Sequence, residues 1–199
     1  MRRWNALTRH LKSILPIGIR RSDECFKRLI TLRGGIGKQL TEIERILRQA
    51  SELCEDGDFA GAAKLYSQVL RRQPENVDAL IDKGVALQNL GKLSMALKCF
   101  EKASEVDPKN ITALIDKGSA LHGLGRFDEA ISCYDKAISL DKKCAMAFAY
   151  RGLSLGEQGR IEEALHSFKK ALQIDGDYDI AQISRDIAQK ILEENESTE

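Results

Sequence analysis

The chain has 199 residues, of which 43% are hydrophobic and 31% charged, and its formal net charge at pH 7 is +1. This composition is typical of a soluble globular protein, and no apolar run approaches the roughly 20 residues that a membrane-spanning helix needs. The small net charge hides an asymmetry, because residues 1–42 carry ten Lys or Arg and three Asp or Glu, a net charge of +7. The rest of the chain is net −6, so a basic arm precedes an acidic body.

The cysteines and histidines show no pattern of a metal, cofactor or catalytic site. The five cysteines form no CxxC pair, their odd number suggests no disulfide framework, and no signal peptide with a clear cleavage site precedes them. The three histidines are too scattered for a catalytic triad or a metal site. We therefore expect a non-enzymatic protein with no cofactor, located in the cytoplasm, with membrane association through the arm left open. The residues concerned are Cys25, Cys54, Cys99, Cys133, Cys144, His10, His122 and His166.

The N-terminal arm begins with a predicted basic amphipathic helix over residues 1–15. Its apolar side chains fall on one helical face, and Pro16 and Gly18 then interrupt the pattern. Three uses stay open: an extra helix docked on the body, a membrane-surface or import segment within residues 1–18, or nucleic-acid binding. Because single-strand binders interleave several aromatic residues with basic ones, a lone tryptophan argues against nucleic acid. The apolar face consists of Trp4, Leu7, Leu11 and Ile14.

The rest of the arm, which ends at residue 42, is predicted to hold a second helix and a joint. Ser22 is a candidate N-cap for a helix over residues 22–33, and Gly34–Lys38 is rich enough in glycine to serve as a flexible joint. Thr41 followed by Glu44 is the spacing of a capping box, which predicts a helix from there to about Glu55.

A 34-residue period organises the body. The stretch from residue 77 to residue 110 recurs from 111 to 144, and the same register gives four repeats at 43–76, 77–110, 111–144 and 145–178. Each repeat holds two amphipathic stretches of about 14 residues, which predicts a helix-turn-helix unit. One glycine lies between the two stretches of every repeat, where a left-handed residue would end the first helix. These are Gly57, Gly91, Gly125 and Gly159.

Small and aromatic residues recur at fixed positions of the repeat. Small residues at positions eight and twenty predict where the two helices cross closely, and an aromatic residue at position twenty-four is expected to fill the gap beside that crossing. Position twenty-seven is small or β-branched where the next repeat must fit, and Pro74 and Pro108 are expected to stop the second helix. In repeat order, position eight is Ala50, Gly84, Gly118 and Gly152, position twenty is Ala62, Ala96, Ala130 and Ala164, and position twenty-four is Tyr66, Phe100, Tyr134 and Phe168.

These spaced positions resemble the tetratricopeptide repeat (TPR) family over about 136 of the 199 residues. The resemblance implies an all-α, right-handed superhelical solenoid of helix-turn-helix repeats. Residues 179–199 resemble the end helix and polar tail with which such arrays cover their last open face. The isoleucines of that segment recur at helical spacing and are expected to form the covering face: Ile180, Ile183, Ile187 and Ile191.

The resemblance also implies a concave groove, lined by the first helix of each repeat, that binds an extended or helical peptide. The residues predicted to line it in repeats two to four, called here the groove positions, are Ile81, Asp82, Val85, Gln88, Asn89, Ile115, Asp116, Ser119, His122, Ala149, Tyr150 and Leu153. The members of the family that bind acidic chaperone C-termini require Lys or Arg in this groove. In the two possible registers the required positions hold no cation, which argues against such tails: Leu47, Ser51, Asp82, Thr112 and Asp116, or Ile81, Val85, Asp116, Met146 and Tyr150.

Asp82 and Asp116 place carboxylates among apolar groove positions, which indicates a protein or peptide partner with apolar and basic residues. The alternative is that both carboxylates only pair with neighbours such as Lys83 and Lys117. The basic arm itself has the chemistry of such a partner, so arm-in-groove self-association or a homo-oligomer is a further hypothesis. The sequence thus predicts a non-enzymatic scaffold, adaptor or assembly factor, with a membrane-surface adaptor as the alternative.

Overall fold

The computed structural model describes residues 41–196, and within that range every regular element is an α-helix. The predictions for residues 1–40 lie outside the described residues. The all-α helical-repeat fold class is confirmed. The helices are α1 (Glu42–Glu55), α2 (Phe59–Arg72), α3 (Val77–Asn89), α4 (Leu93–Val106), α5 (Ile111–Gly123), α6 (Phe127–Leu140), α7 (Ala145–Glu157), α8 (Ile161–Ile174) and α9 (Asp179–Glu196).

The chain forms two compact units, of which the described parts are residues 41–106 and 107–196. The first unit holds α1 to α4, and its first helix begins at the predicted capping box. The Thr41 backbone N–H donates to Glu44 Oε2 over 2.8 Å, and the Glu44 N–H donates to Thr41 Oγ1 over 3.2 Å. Asp58 and Asn76 accept from the third residue of α2 and α3 in the same way. Side chains therefore satisfy N–H groups that the first turn of each helix leaves unbonded.

Each helix pair turns at the predicted glycine. The φ angles of Gly57, Gly91, Gly125 and Gly159 lie between 72° and 81°, which is the left-handed region. An added Cβ at Gly91 would meet no atom within 4 Å, so the backbone angle and not crowding requires glycine there. The prediction of a left-handed residue between the two helices is confirmed at all four turns.

The crossing of the two helices of a repeat is built from a glycine and an aromatic ring. An added Cβ at Gly118 would lie 2.6 Å from Cε1 of Tyr134, and one at Gly84 would lie 2.7 Å from Cζ of Phe100. The same arrangement joins Gly152 to Phe168. Since real Cβ atoms do not approach carbon this closely, the ring occupies the space that a side chain at position eight would need. The predicted role of the small and aromatic positions is confirmed.

The second helices of repeats two to four end in turns that an aspartate side chain stabilises, which the prolines alone do not predict. In the second unit the backbone N–H groups of Lys109, Lys143 and Asp177 each donate to the carboxylate of the aspartate two residues earlier, over 3.2, 2.8 and 3.2 Å. Such side-chain turns redirect the backbone without help from the residue between them. The turn therefore forms equally where proline is replaced by Lys142 or Gly176.

The last helix, α9, covers the end of the second unit as expected, but its buried face is centred on residues other than the predicted isoleucines. Ala181, Ser184 and Ala188 are fully buried, while Ile183 is 47% exposed, so the prediction that Ile183 joins the covering face is wrong. Small residues let α9 approach α8 closely, and at about 100° per residue Ile183 points roughly 130° away from them. The other isoleucines of the predicted set, Ile180, Ile187 and Ile191, do pack against the core cluster around Phe168.

Candidate functional site

The groove positions of the first unit are partly covered. Ile81 is 1% exposed and Gln88 is 6% exposed, while Asp82, Val85 and Asn89 are half-buried. Asn89 Nδ2 donates to the backbone carbonyl of Val85 over 2.9 Å, which ties this side chain to its own helix. The half-buried residues therefore leave α3 able to offer a carboxylate and an aliphatic side chain to a partner.

Asp82 belongs to a cluster with Cys54 and Tyr66. Burial raises the pKa of Tyr66, and the negative charge of Asp82 raises it further. The pKa of the Cys54 thiol is also raised, mainly by burial and further by the charge of Asp82. Burial is the larger cause in both residues, because it disfavours the charged phenolate and thiolate. The first unit thus brings Asp82 near the polar side chains of Tyr66 and Cys54 where α1, α2 and α3 meet.

In the second unit, several groove positions belong to the core. Ala149 is fully buried in a cluster with Ala171 and Ala181, and Leu153 lies in the cluster around Phe168 with 9% of its surface exposed. Ile115 is 4% exposed. These side chains pack against neighbouring helices, so their contribution is to shape the surface. The half-buried positions that can contact a partner are Ser119, His122 and Tyr150.

Asp116 lies within a cluster of three tyrosines. Its carboxylate is 4% exposed, and its negative charge raises the pKa of Tyr150 after burial, which is the larger cause. The rings of Tyr134 and Tyr150 have centroids 6.1 Å apart, and Tyr150 raises the pKa of Tyr178, for which burial is the larger cause. The pKa of Tyr134 is also raised, by burial first and by Tyr150 and Asp116 among smaller causes. Because Asp116 and Tyr134 are buried, the members of this cluster that a partner could contact are half-buried Tyr150 and Tyr178. An aromatic ring near a carboxylate is the chemistry that attracts a cation.

His122 connects two neighbouring first helices. Its Nδ1 lies 2.9 Å from Oγ of Ser154 on α7, and its ring meets the edge of Phe127 with centroids 5.3 Å apart. Ser154 is fully buried, so this hydrogen bond stabilises the alignment of α5 and α7. His122 therefore acts within the fold, and the sequence alone did not indicate Ser154 as its partner.

Sequence reasoning also missed a polar link between repeats three and four. Arg151 Nε donates to Asp135 Oδ1 over 2.7 Å, and its Nη1 donates to Ser167 Oγ over 2.8 Å. The Arg151 side chain is 23% exposed, which makes this pair less screened than the other ion pairs of the second unit. Two of the tyrosines, Tyr66 and Tyr134, follow from the sequence pattern, because position twenty-four alternates between tyrosine, with a hydroxyl, and phenylalanine, without one.

Between residues 41 and 196 no group of three or more His, Cys, Asp or Glu side chains is arranged to hold a metal ion. No helix in the same range is long and apolar enough to cross a membrane. What the described residues do bring together on the first helices is half-buried Asp82 and half-buried Tyr150, the second of which lies near buried Asp116.

Comparison with known families agrees with this architecture. Sequence profiles of the tetratricopeptide repeat match residues 53–110 and 115–179. The chain belongs to the TPR family. TPR repeats are generally non-enzymatic protein-interaction modules, and the crossing glycines and aromatic rings described above are the positions at which this TPR chain carries the family pattern.

Solved structures show the same fold. The crystal structure of MamA superimposes with a TM-score of 0.65 at 26% identity, over 71% of this chain and 82% of that chain. The crystal structure of YrrB, a TPR protein with an unusual peptide-binding site, has a TM-score of 0.66 at 23% identity over 73% of this TPR chain and 75% of its own. The first TPR of Spaghetti (RPAP3), bound to an HSP90 peptide, has a TM-score of 0.57 at 24% identity over 58% and 92% of the two chains. None of the curated proteins matches this sequence.

Proposed function

We propose that this TPR chain is a non-enzymatic scaffold, adaptor or assembly factor that binds a peptide or helix segment of another protein through its first helices. The observation that carries this proposal is half-buried Tyr150 on the first helix α7, whose pKa is raised by burial and by the negative charge of buried Asp116. The buried carboxylate supplies negative potential, and the half-buried tyrosine ring supplies apolar and cation–π contacts. The preferred segment therefore carries basic residues beside apolar anchors.

The first unit favours the same kind of segment. Asp82 is half-buried beside Val85, and it raises the pKa of Tyr66 through its charge. An amphipathic helix with Lys or Arg next to leucine would complement both surfaces. An acidic C-terminal tail would find no charge attraction, because the positions at which chaperone-binding TPR proteins need cations hold Leu47, Thr112 and Asp116 here.

The test uses a synthetic amphipathic helical peptide of leucine and lysine, and its counterpart with glutamate in place of lysine. Fluorescence anisotropy of the labelled peptides should show binding of the lysine peptide that weakens as salt is added. The double substitution Asp82→Lys and Asp116→Lys should weaken this binding about tenfold, equivalent to about 1.4 kcal/mol.

The matched control is the double substitution Glu105→Lys and Glu162→Lys, which changes the charge equally at two exposed residues of second helices. It should leave the affinity within about twofold, since exposed charges at a distance are screened. If the lysine peptide binds equally well to both double variants with no salt dependence, the proposed surface is wrong.

A second candidate is a membrane-surface adaptor anchored by residues 1–18, which lie outside the described residues. The supporting observation is that these residues include four Lys or Arg and no acid. Co-sedimentation with anionic vesicles that is sensitive to salt and lost on deletion of residues 1–18 would favour this role. Binding to nucleic acid, the least favoured alternative, would instead give a salt-dependent gel shift.

A further inference from the structure

We propose that the segment from Arg2 to Ile14 of the chain's own arm binds the first-helix surface around half-buried Ser119 and Tyr150 of the second unit and competes there with external partners. This inference rests on the proposed function, since it names the first ligand and the regulation of the same surface. It makes the free chain self-inhibited, so that a partner must displace the arm to bind.

Charge favours the second unit as the place where the arm binds. Residues 107–199 carry 12 Lys or Arg and 17 Asp or Glu, a net charge of −5, whereas residues 41–106 carry 9 and 11, a net charge of −2. The first 18 residues carry four basic side chains and no acidic one. Opposite net charges within one chain attract at an effective concentration set by the tether, so even modest complementarity leads to docking.

The side chains of the arm and of the second unit are also chemically complementary. Half-buried Ser119 and Tyr150 can contact a ligand, and Asp116 contributes its charge to the same region. The arm offers cations at Arg9 and Lys12 and an aromatic ring at Trp4. As a helix, the stripe from Trp4 to Ile14 would be about 15 Å long, enough to cross two first helices packed roughly 10 Å apart.

The tether allows this arrangement. Between Ile14 and Thr41 lie 26 residues, which extend to roughly 85 Å when stretched, so tether length does not decide which unit the segment reaches. Docking within one chain also needs no second copy, and its extent is therefore independent of protein concentration.

Trp4 is the single tryptophan of the chain, so its fluorescence reports directly on the arm of the full-length protein. In the wild type we expect a blue-shifted emission and slow quenching by iodide, both independent of protein concentration. Arg9→Glu with Lys12→Glu should raise the undocked-to-docked ratio about fivefold, equivalent to about 1 kcal/mol. Asp116→Asn and Ser119→Lys, two independent changes in the groove, should each raise quenching in the same direction.

Two controls carry equal charge changes elsewhere. Arg20→Glu with Arg21→Glu changes the arm beyond the proposed segment, and Glu162→Gln changes an exposed residue of α8. Both should leave Trp4 as protected as in the wild type. The combination of Lys12→Glu with Ser119→Lys should restore part of the protection, because the exchange recreates an attractive pair.

Three outcomes overturn the inference. Trp4 fully accessible to iodide in the wild type excludes docking, and protection unchanged in both groove variants places it elsewhere. Protection that appears only as the protein concentration rises, with a doubled mass in light scattering, assigns the arm to a second copy. The proposed function fails separately, if the leucine–lysine peptide does not bind even to the Arg9→Glu, Lys12→Glu variant.

Discussion

The repeats resemble one another closely at the helix crossings, whereas they differ at the groove positions. At the crossings, Gly84, Gly118 and Gly152 each meet an aromatic ring in the same way. At position six of the first helix, the repeats instead carry Arg48, Asp82, Asp116 and Tyr150. Packing fixes the crossing because the available volume is the same in each repeat, whereas the surface of the first helices can differ without loss of the fold. Binding specificity is therefore expected where the repeats differ.

The largest expected change in the free energy of unfolding comes from removing an aromatic ring from a crossing. Phe168 is fully buried against Gly152, so Phe168→Ala should lower the free energy of unfolding by about 3–5 kcal/mol through lost burial and a cavity. Urea denaturation followed by circular dichroism measures this change. His166→Ala, at an exposed position of the same helix, should stay within about 0.5 kcal/mol. A loss below about 1 kcal/mol for Phe168→Ala would contradict the crossing as the main packing constraint.

A smaller effect is expected from adding a methyl group at a crossing. Gly118→Ala would place a Cβ 2.6 Å from Cε1 of Tyr134, and it should cost about 1–3 kcal/mol by overpacking. The comparison is Gly176→Ala in the turn before α9, where the nearest atom to an added Cβ, the carbonyl oxygen of Leu172, is 3.9 Å away. Urea denaturation of this variant should show no loss, and an equal loss in both variants would contradict crowding by the Tyr134 ring as the cause.

The smallest change in the free energy of unfolding is expected when a tyrosine at position twenty-four is replaced by phenylalanine. Phenylalanine fills this position at Phe100 and Phe168, so Tyr134→Phe should change the unfolding free energy at pH 7 by about 1 kcal/mol or less. The pKa of Tyr134 is raised in the folded state by burial, Tyr150 and Asp116. Its contribution to stability is therefore complete below the unfolded pKa of about 10 and is lost as pH rises further.

The measurement is urea denaturation at several pH values between neutrality and the alkaline range. The wild type should lose stability above about pH 10 with a steeper slope than Tyr134→Phe, by up to about 1.4 kcal/mol per pH unit. Lys136→Ala, at an exposed position of α6, should keep the wild-type slope. If wild type and Tyr134→Phe have the same alkaline slope, the pKa of Tyr134 is not raised in the folded state.

Much of the fold could be predicted from residue type at fixed spacing. The turn at Gly125 and the crossing of Gly118 with Tyr134 follow from backbone freedom and side-chain volume, which are local properties recorded in the sequence. Ile183 shows where this reasoning ends. Helical spacing predicts that Ile183 lies on the covering face. In the structure, small residues such as Ala181 and Ala188 form the centre of the buried face of α9, and Ile183 lies outside that face. The periodicity of apolar residues locates the buried face of a helix only approximately, because close packing decides which residues lie at its centre.

The candidate site was less predictable than the fold. Twelve groove positions followed from the TPR resemblance, yet Ala149 and Leu153 lie in core clusters and His122 bonds to Ser154. The tyrosine cluster around Asp116 combines residues from three helices. No spacing within a single helix reveals such a cluster, since its members meet only after the repeats pack.

The sequence by itself determined the period, the helix pairs, the turn glycines and the family, because each depends on the size or backbone freedom of a residue and its near neighbours. Tertiary structure alone decided which first-helix side chains are covered and which charges meet tyrosines. Burial and electrostatic potential at Asp116 arise from residues such as Tyr134 and Tyr150 that are distant in the chain. Their effect depends on distance in space, which only the packed repeats determine.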